Sequence, residues 1–384
     1  MKTTDVKNIA VIGAGDMGHG IAEVAALAGF RVLMFDVNDA ALERGKERIF
    51  ASLEKLASKG KIPGELATQI RESGLAGRTD LAEAVSDADV VVEAVPEILE
   101  LKRDTFRQLD ELAPPAAILA SNTSTMSGTE LASMTNRPSQ VLGFHFFNPP
   151  VLMRLIEVIR GKETSDATIA AALELAKAMR KTPVLVQKDS PGFIVNRVNA
   201  ASAVLFQTLV ERKEIEPEPL DAFMRSLGYP FGPCELADFV GVDVVISMGR
   251  YLAERIHPDF APPSHLTAMM EEGRLGKKTG SGYYDWSQGR PAIDPAKATR
   301  AMSPLWPLFA QINEATKLVE QGVCATGDVE LAMRLGNGLS VGPMTWAKSI
   351  SKWDLTDQLE MLAARYDKEI FQPTERVRQG GHKG

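Results

Sequence analysis

Residues 6–36 carry the pattern that most restricts how this chain can fold. The apolar run Ile9–Ile12 enters the glycine turn Gly13–Gly18, an alanine-rich helical stretch follows, and a second apolar run, Val32–Phe35, ends at Asp36. This order predicts a strand, a tight turn, a helix and a second strand. Because a crossover helix joins parallel strands, the pattern predicts a Rossmann-like α/β domain at the amino terminus.

The turn itself predicts a dinucleotide site. Gly13 permits the sharp turn, Gly15 lets a pyrophosphate approach the backbone, and Gly18 lets the helix pack against the strand. The N–H groups at the start of the helix, beside Asp16 and Met17, are then available to phosphate oxygens. We predict that these five residues contact the cofactor.

Asp36 indicates which dinucleotide is bound. It lies 23 residues after Gly13, where a carboxylate accepts hydrogen bonds from ribose hydroxyls. Its charge repels a 2′-phosphate, and residues 37–39 contain no arginine that would attract one. The sequence therefore favours NAD over NADP.

The segment Gly143–Glu157 places His145 among aromatic residues and returns a carboxylate, Glu157, on the next apolar run. Histidine exchanges protons near neutral pH, and a carboxylate bonded to one ring nitrogen orients the ring and stabilises its charged form. The pattern predicts His145 as a general base and Glu157 as its orienting partner. The alternative is a structural histidine bonded to a surface glutamate.

Four motifs occur in a fixed order along the chain. They are Ala120–Thr125, Gly143–Glu157, Lys188–Arg197 and Gly276–Tyr284. Together they resemble the NAD-dependent L-3-hydroxyacyl-CoA dehydrogenases, including those that act on 3-hydroxybutyryl-CoA, from the amino terminus to about Tyr284. The resemblance implies reversible oxidation of an (S)-3-hydroxyacyl-CoA, by default one with a short acyl chain, to the 3-ketoacyl-CoA with NAD.

The resemblance also implies roles for single residues at the reacting centre. His145 is the base and Glu157 holds it, while Ser124 and Asn196 position the substrate and Ser124 also lies beside the cofactor. Without the resemblance, a serine or an asparagine near glycine and proline is typical of a turn.

Further binding residues follow from the resemblance. Glu97, Lys102 and Lys278 match positions along bound NAD, and Ser52 and Lys59 match contacts to coenzyme A. The last two fall in a helix predicted from about residue 40 to residue 60, whose basic outer face suits a phosphate-bearing ligand. Taken alone, such charges are typical of a solvated surface.

Two other classes of function stay open. A dehydrogenase of a free hydroxy acid, of the carnitine or gulonate type, would share the glycine turn and the His–Glu pair. A non-catalytic NAD-binding protein would need only the turn. The sequence argues against a short-chain dehydrogenase, because Tyr-x-x-x-Lys occurs nowhere in it. Activity on a coenzyme A thioester separates the first reading from both alternatives.

The composition fits a metabolic enzyme of the cytoplasm. The net charge of −7 argues against nucleic acid as a partner. No apolar run approaches the ~20 residues that a membrane span requires, and no signal pattern is visible. Two cysteines and five histidines show neither metal-ligand spacing nor a disulfide framework, so no metal is predicted and a reducing compartment is the simplest one.

A chain of 384 residues is too long for one core. We predict a NAD-binding Rossmann-like domain over residues 1–188, a helical domain over 189–290 and a second helical module over 291–384 that ends in a loose tail. Met224-Arg225 and Gly232-Pro233 recur as Met333-Arg334 and Gly342-Pro343 at offsets of 109 and 110, which predicts a tandem repeat of the helical module.

The repeat bears on partners. Family members with one helical module pair it between subunits, so a second copy offers an intrachain pseudo-dimer as an alternative to a homodimer. Long relatives that carry a second copy are fused to a crotonase-type enoyl-CoA hydratase. The resemblance therefore implies that this chain is either part of such a fusion or an associate of such a hydratase.

Overall fold

The computed structural model of the chain describes residues 6–383. These residues form two compact units, the first ending at Phe193 and the second beginning at Ile194. The predicted three domains, with boundaries at residues 188 and 290, stay a prediction. Within residues 6–383, no helix combines the length and the apolar character that crossing a lipid bilayer would need.

A mostly parallel sheet forms the centre of the first unit. In chain order its strands are β1 (Asn8–Ile12), β2 (Arg31–Phe35), β3 (Leu75–Arg78), β4 (Val90–Glu93), β5 (Ile118–Ser121), β6 (Val141–Phe146), β7 (Leu155–Ile159) and β8 (Thr182–Val186). Their spatial order is β3-β2-β1-β4-β5-β6-β7-β8, and every neighbouring pair is parallel except β6 with β7. The predicted Rossmann-like domain is confirmed.

Helices cover both faces of this sheet. They are α1 (Gly18–Leu27), α2 (Asp39–Ser58), α3 (Gly64–Gln69), α4 (Leu81–Val85), α5 (Leu99–Leu112), α6 (Gly128–Ala132) and α7 (Asp166–Ala178). Successive side chains of β1 point to opposite faces, so that Ile9 and Val11 join one apolar core while Ala10 and Ile12 join another. A strand buried on both faces has no polar face, which explains the unbroken apolar run in the sequence.

The helix predicted from about residue 40 to residue 60 is confirmed as α2. The side chain of Asn38 accepts a hydrogen bond from the Ala41 N–H and so caps its start. Leu42, Ile49 and Leu53 form its buried stripe at helical spacing.

The second unit is helical. Its helices are α8 (Val195–Glu211), α9 (Pro217–Ser226), α10 (Pro233–Val240), α11 (Val242–Arg255), α12 (Ser264–Glu271), α13 (Leu305–Glu320), α14 (Thr326–Gly336), α15 (Pro343–Ala347), α16 (Lys352–Tyr366) and α17 (Glu375–Arg378). We call α8–α12 the first helical series and α13–α17 the second. A single 3-10 turn interrupts each series before its last helix, and matching helices begin 109 to 111 residues apart.

Equivalent carboxylates cap equivalent helices in the two series. Asp221 on α9 accepts hydrogen bonds from the N–H groups of Cys234 and Glu235, at the start of α10. Glu330 on α14 accepts from the N–H groups of Gly342 and Thr345, at the start of α15. Each carboxylate satisfies backbone donors that have no partner within the helix. The two series therefore share this helix cap as well as the order of their helices.

The two series pack against each other through their first helices, α8 and α13. The guanidinium of Arg197 donates to Glu314 at 2.5 Å, and both side chains are almost fully buried. Asn199 on α8 bonds to Asn337, which follows α14. This seam of paired polar groups is fully within the second unit.

The prediction of a loose carboxyl-terminal tail is wrong for residues 375–383. Glu375–Arg378 forms α17 and Gly381–Lys383 forms a 3-10 turn. Val377 joins an apolar core and His382 is 1% exposed. The glycines and charges of this segment suggested a tail, but buried Val377 and His382, together with the ion pair between Arg378 and Glu360, hold the segment in place.

Candidate active site

The glycine turn between β1 and α1 has the geometry that a dinucleotide requires. Gly13 has φ +106°, and a Cβ there would lie 2.7 Å from the carbonyl oxygen of Ala94. A Cβ at Gly18 would lie 1.8 Å from the carbonyl oxygen of Gly13. A Cβ at Gly15, in contrast, would have no atom within 4 Å. Two glycines are thus required by close packing, and the third faces open space where phosphates fit.

The start of α1 is also suited to an anion. No side chain caps it, and its first turn carries no acidic residue, so its positive end can face phosphate oxygens. Of the two residues predicted beside them, Asp16 forms an ion pair with Arg48 of α2 at 2.5 Å. Met17 is half-buried against the core.

Asp36 follows β2 and is held by the turn. One carboxylate oxygen accepts from the Ala14 N–H at 2.9 Å and the other from the Val37 N–H at 2.8 Å. These bonds fix the Asp36 carboxylate beside the glycine turn, where it can accept hydrogen bonds from ribose hydroxyls. Turn, helix start and carboxylate together fit NAD.

Lys102 on α5 occupies a different setting from the solvated one that its residue type suggests. It is 1% exposed, and its Nζ lies 2.7 Å from Glu93 and 3.1 Å from Glu97. Burial alone would lower the pKa of Lys102, but the two carboxylates outweigh it and raise that pKa. The lysine is therefore a charged cross-link between the end of β4 and the segment that leads into α5.

Glu97 links this cross-link to the loop after β5. Its carboxylate accepts from the Thr123 hydroxyl at 2.5 Å and from the Ser124 N–H at 3.0 Å. Burial would raise the pKa of Glu97, but Lys102 and these donors lower it below the ordinary value. The predicted residues Glu97, Lys102 and Ser124 thus form one connected group.

The sequence reasoning missed three members of this group: Glu93, Ser121 and Thr123. The Ser121 hydroxyl donates to Glu93 at 2.6 Å, and Glu93 is fully buried. The sequence did indicate Glu93, because this residue ends the otherwise apolar strand β4 at the carboxyl end of the sheet, where the glycine turn also lies. A carboxylate there needs a cationic partner.

His145 and Glu157 meet as predicted. They lie directly opposite each other in the antiparallel pair β6–β7, and Nδ1 of His145 is 2.8 Å from Oε2 of Glu157. The relative exposure is 5% for His145 and 0% for Glu157. With a proton on Nδ1, His145 donates a hydrogen bond to the buried Glu157 carboxylate, and the lone pair of Nε2 is then left for chemistry.

Two aromatic rings flank the imidazole of His145. The rings of Phe147 and Phe193 lie 4.6 and 5.7 Å from the imidazole, measured between centroids. Within residues 6–383, Nε2 forms no hydrogen bond with another side chain or with the backbone. Asn122 fixes the strand beside it, because its amide oxygen accepts from the Phe146 N–H at 2.9 Å.

Two predicted site residues belong to the second unit. Asn196 is the second residue of α8 and is half-buried. Lys278 lies in a 3-10 turn and forms an ion pair with Asp243 at the start of α11. The first unit therefore holds the predicted base, its predicted partner and the glycine turn, while one predicted substrate contact and one predicted cofactor contact lie on the helical unit.

Asp238 holds the segment around Lys278 in place. Its carboxylate accepts from the N–H groups of Tyr283 and Tyr284 and from the indole of Trp286, all at 2.8 to 2.9 Å. The sequence analysis did not identify Asp238, because neither Lys278 nor the motif Gly276–Tyr284 indicates which carboxylate binds this segment.

The predicted coenzyme A contacts lie on α2. Ser52 is half-buried and bonds to Glu23 of α1. Burial raises the pKa of Glu23 to about 7, and the bond from Ser52 opposes that shift. Lys59 ends the helix and is exposed.

The chain is similar to known proteins in both units. A sequence model of the 3-hydroxyacyl-CoA dehydrogenase NAD-binding domain matches residues 8–190. A sequence model of the 3-hydroxyacyl-CoA dehydrogenase C-terminal domain matches two segments, residues 192–286 and 307–384.

Individual relatives agree with these matches. A probable 3-hydroxybutyryl-CoA dehydrogenase of Bacillus subtilis is 40% identical over 74% of this chain and 99% of its own length. A 3-hydroxyadipyl-CoA dehydrogenase of Escherichia coli K12 is 32% identical over 98% of this chain and 97% of its own length. The crystal structure of a 3-hydroxybutyryl-CoA dehydrogenase from Escherichia coli K12 has a TM-score of 0.88 at 30% identity and covers 98% of each chain.

Proposed function

The chain belongs to the 3-hydroxyacyl-CoA dehydrogenase family, and we propose that it interconverts short-chain (S)-3-hydroxyacyl-CoA and 3-ketoacyl-CoA with His145 as general base and acid. It is an NAD-dependent oxidoreductase that acts on 3-hydroxyacyl-CoA thioesters. The observation that carries the assignment of the base is the buried bond between His145 Nδ1 and Glu157 across β6 and β7.

Oxidation requires that a proton leave the 3-hydroxyl group while a hydride leaves C3. Nε2 of His145 accepts the proton, and the C–O bond becomes a carbonyl as the hydride departs. NAD, when bound, supplies the acceptor for that hydride. Glu157 stabilises the imidazolium that results, and in the reverse direction Nε2–H returns the proton to the ketone oxygen.

The remaining site residues bind and position. Ser124 and Asn196 are proposed to hold the reacting oxygens, and Lys278 is proposed to contact NAD. On the first unit, the proposed NAD contacts are Gly13, Gly15, Asp16, Met17, Gly18, Asp36, Glu97, Lys102 and Ser124. For Lys102 the fit is indirect: its Nζ is already bonded to Glu93, Glu97 and the Val95 carbonyl, so we propose that it supports the cofactor through Glu97.

We propose a short acyl chain because two relatives bear the name 3-hydroxybutyryl-CoA dehydrogenase. The 3-hydroxyadipyl-CoA dehydrogenase of Escherichia coli is named for a longer, dicarboxylic substrate. A dicarboxylic acyl chain is therefore the second candidate, and Ser52 and Lys59 are proposed to bind coenzyme A in either case.

The second helical series is proposed to be a tandem copy of the first. Supporting this are the shared order of helices, the equivalent caps and the two segments that match one C-terminal domain. The seam between α8 and α13 then makes an intrachain pseudo-dimer, which we favour over a homodimer. Association or fusion with an enoyl-CoA hydratase and a place in the cytoplasm complete the proposal.

The test is the oxidation of NADH, monitored by its absorbance. The substrates are acetoacetyl-CoA, 3-ketoadipyl-CoA and free acetoacetate, and each assay is repeated with NADPH. We expect rapid turnover of acetoacetyl-CoA with NADH alone. Because Asp36 repels a 2′-phosphate, NADPH should be poorly used.

Two outcomes would move the assignment. Equal turnover of free acetoacetate would favour a dehydrogenase of a free hydroxy acid. Binding of NADH without turnover of any of these substrates would favour a non-catalytic NAD-binding protein.

A further inference from the structure

A loop of the second unit, residues 276–286, folds around the side chain of Asp238, which none of the steps above uses. We call these residues the anchored loop. Asp238 is fully buried on α10. Its carboxylate accepts hydrogen bonds from the backbone N–H groups of Tyr283 and Tyr284 and from the indole N–H of Trp286, at 2.8 to 2.9 Å. One carboxylate therefore holds both the backbone and a side chain in the second half of the loop.

The anchored loop approaches Asp238 too closely to carry a side chain at two of its positions. A Cβ at Gly276 would lie 2.2 Å from the carbonyl oxygen of Asp238, and a Cβ at Gly282 would lie 2.0 Å from a carboxylate oxygen of the same residue. Glycine loses more conformational freedom on folding than any other residue. A loop with glycines at these positions therefore needs an anchor to stay ordered.

Lys278 is exposed in the first half of the anchored loop, and hydrogen bonds within the loop tie that half to the anchored one. The Gly276 N–H donates to the carbonyl oxygen of Ser281 at 2.7 Å, and the Trp286 N–H donates to that of Gly280 at 2.8 Å. The position of Lys278 therefore depends on the half of the loop that the carboxylate holds.

The second helical series separates the role of this carboxylate from the needs of the fold. Counted from the Gly-Pro pair that starts each helix, the position of Asp238 on α10 is taken by Lys348 after α15. Lys348 is exposed, and a lysine side chain cannot accept hydrogen bonds from N–H groups. The helix cap, in contrast, recurs as Asp221 and Glu330. A series thus forms with its cap and without a carboxylate at this position, which indicates a purpose for Asp238 beyond the fold.

We propose that Asp238 is a positioning residue for NAD, which holds the anchored loop so that Lys278 is presented to the cofactor. The inference rests on the proposed contact between Lys278 and NAD and names the group that makes this contact effective. A loop that is already held in its binding conformation loses less conformational freedom when a ligand binds, so the ligand binds more tightly. Loss of the anchor weakens NADH binding and leaves proton transfer at His145 intact.

The experiment combines Asp238→Asn with Lys278→Gln and measures the Kd for NADH by fluorescence titration of both single variants and the double variant. An amide has one acceptor oxygen and turns its NH₂ group toward a backbone N–H, so Asp238→Asn releases part of the loop. We expect Kd to rise about tenfold, which corresponds to the loss of one charge-assisted hydrogen bond. In the Lys278→Gln background the same change should alter Kd less than about twofold, because the loop then presents no cation. Full additivity of the two effects would overturn the proposal.

Steady-state kinetics with acetoacetyl-CoA provide a second readout. In Asp238→Asn the KM for NADH should rise in parallel with Kd. The kcat at saturating NADH should stay within about twofold of the wild type, because His145 and Glu157 belong to the other unit. A large fall in kcat with an unchanged KM for NADH would contradict a role in positioning the cofactor.

The matched control is Glu330→Gln in the second series. The Glu330 carboxylate also has three donors, the N–H groups of Gly342 and Thr345 and the Thr345 hydroxyl. This variant should lose stability, as Asp238→Asn does, and keep the wild-type Kd for NADH. An equal rise of Kd in the control would mean that lost stability is responsible, and it would overturn the proposal.

Gly282→Ala disturbs the same anchor without changing a charge. Its methyl group would occupy the place of a carboxylate oxygen of Asp238, so the loop must move away from the carboxylate. We expect a rise in the Kd for NADH similar to that of Asp238→Asn. If both variants are folded by circular dichroism and bind NADH as tightly as the wild type, the proposal is wrong.

Lys278→Gln by itself separates this inference from the proposed function. If it weakens NADH binding and Asp238→Asn does not, only the positioning role of Asp238 fails. If neither variant changes Kd, the proposed contact of Lys278 with NAD fails and the positioning role falls with it. The reaction itself is tested separately, by turnover of acetoacetyl-CoA in the wild type.

Discussion

Among residues 6–383, two histidines bond to a glutamate through Nδ1, and they differ in the surroundings of the second ring nitrogen, Nε2. His145 bonds through Nδ1 to Glu157 between two strands of the first unit. His265, on α12, bonds through Nδ1 to Glu211 at the end of α8. The pairing atom and the type of partner are the same, so the pair by itself does not identify a catalytic base.

The second ring nitrogen distinguishes the two pairs. Nε2 of His265 lies 3.0 Å from Gln207 and 2.6 Å from the Tyr283 hydroxyl, which in turn donates to Gln207. Nε2 of His145 has aromatic rings beside it and no polar side chain bonded to it among the described residues. A base needs a free lone pair within reach of the substrate, so we propose that the first pair, and not the second, takes part in proton transfer.

The largest expected effect is that of His145→Gln. Without a group that accepts and returns the proton, kcat should fall about 10³-fold, within the range of acid–base catalysis. The affinity for NADH should stay nearly unchanged, because Asp36 and the glycine turn hold the cofactor. Steady-state kinetics with acetoacetyl-CoA and fluorescence titration with NADH measure the two quantities.

Asp36→Ala is the matched control for this separation. It should weaken NADH binding and leave the His145–Glu157 bond in place. If both variants lose NADH affinity to the same degree, catalysis and cofactor binding are not carried by different residues as proposed.

Glu157→Gln comes next in size. A neutral amide cannot stabilise the imidazolium, and its NH₂ group can also favour the wrong tautomer of His145. The loss of one charge-assisted hydrogen bond predicts that kcat falls about 10- to 100-fold. A fall in kcat of only about twofold, as expected for a variant of the His265–Glu211 pair, would contradict the role of Glu157.

The His145–Glu157 pair could be predicted because its two residues are close in sequence. Only 11 residues separate His145 from Glu157, both lie on apolar runs, and an antiparallel connection brings such runs face to face. The same locality made Gly13, Gly18 and Asp36 predictable, because one strand–turn–helix–strand unit positions all three.

Contacts between distant segments could not be predicted in this way. Glu211 and His265 are 54 residues apart, and their bond depends on how α12 packs against the end of α8. Lys102 looked solvated because its burial depends on α5 docking next to Glu93. No periodicity within one segment carries such information.

Glu211→Gln should reduce stability rather than activity. Burial would raise the pKa of Glu211, but bonds from Ser264 and His265 outweigh it and lower the pKa to about 2. With a third of the side chain exposed, solvent screening leaves about 1–2 kcal/mol at pH 7. Urea unfolding of the variant and the wild type measures this difference.

The sign of its pH dependence follows from the depressed pKa. The stabilisation is complete above the unfolded-state pKa, near 4.5, and is lost as the pH falls through about 2. The difference between wild type and variant should therefore be constant from pH 5 to pH 8 and shrink between pH 4.5 and pH 2. A difference that instead grows as the pH falls would contradict this account of Glu211.

His265→Gln should have the smallest effect and so tests the comparison most directly. Gln207 and Tyr283 remain bonded to each other, and a glutamine side chain can still donate to Glu211. We therefore expect a loss of about 0.5–1 kcal/mol in the free energy of unfolding and a kcat within about twofold of the wild type, since Nε2 of His265 is closed to substrate. A large loss of kcat in a variant that keeps its stability would show that the His265–Glu211 pair takes part in turnover. The hydrogen bonds of Nε2 would then no longer distinguish the two pairs.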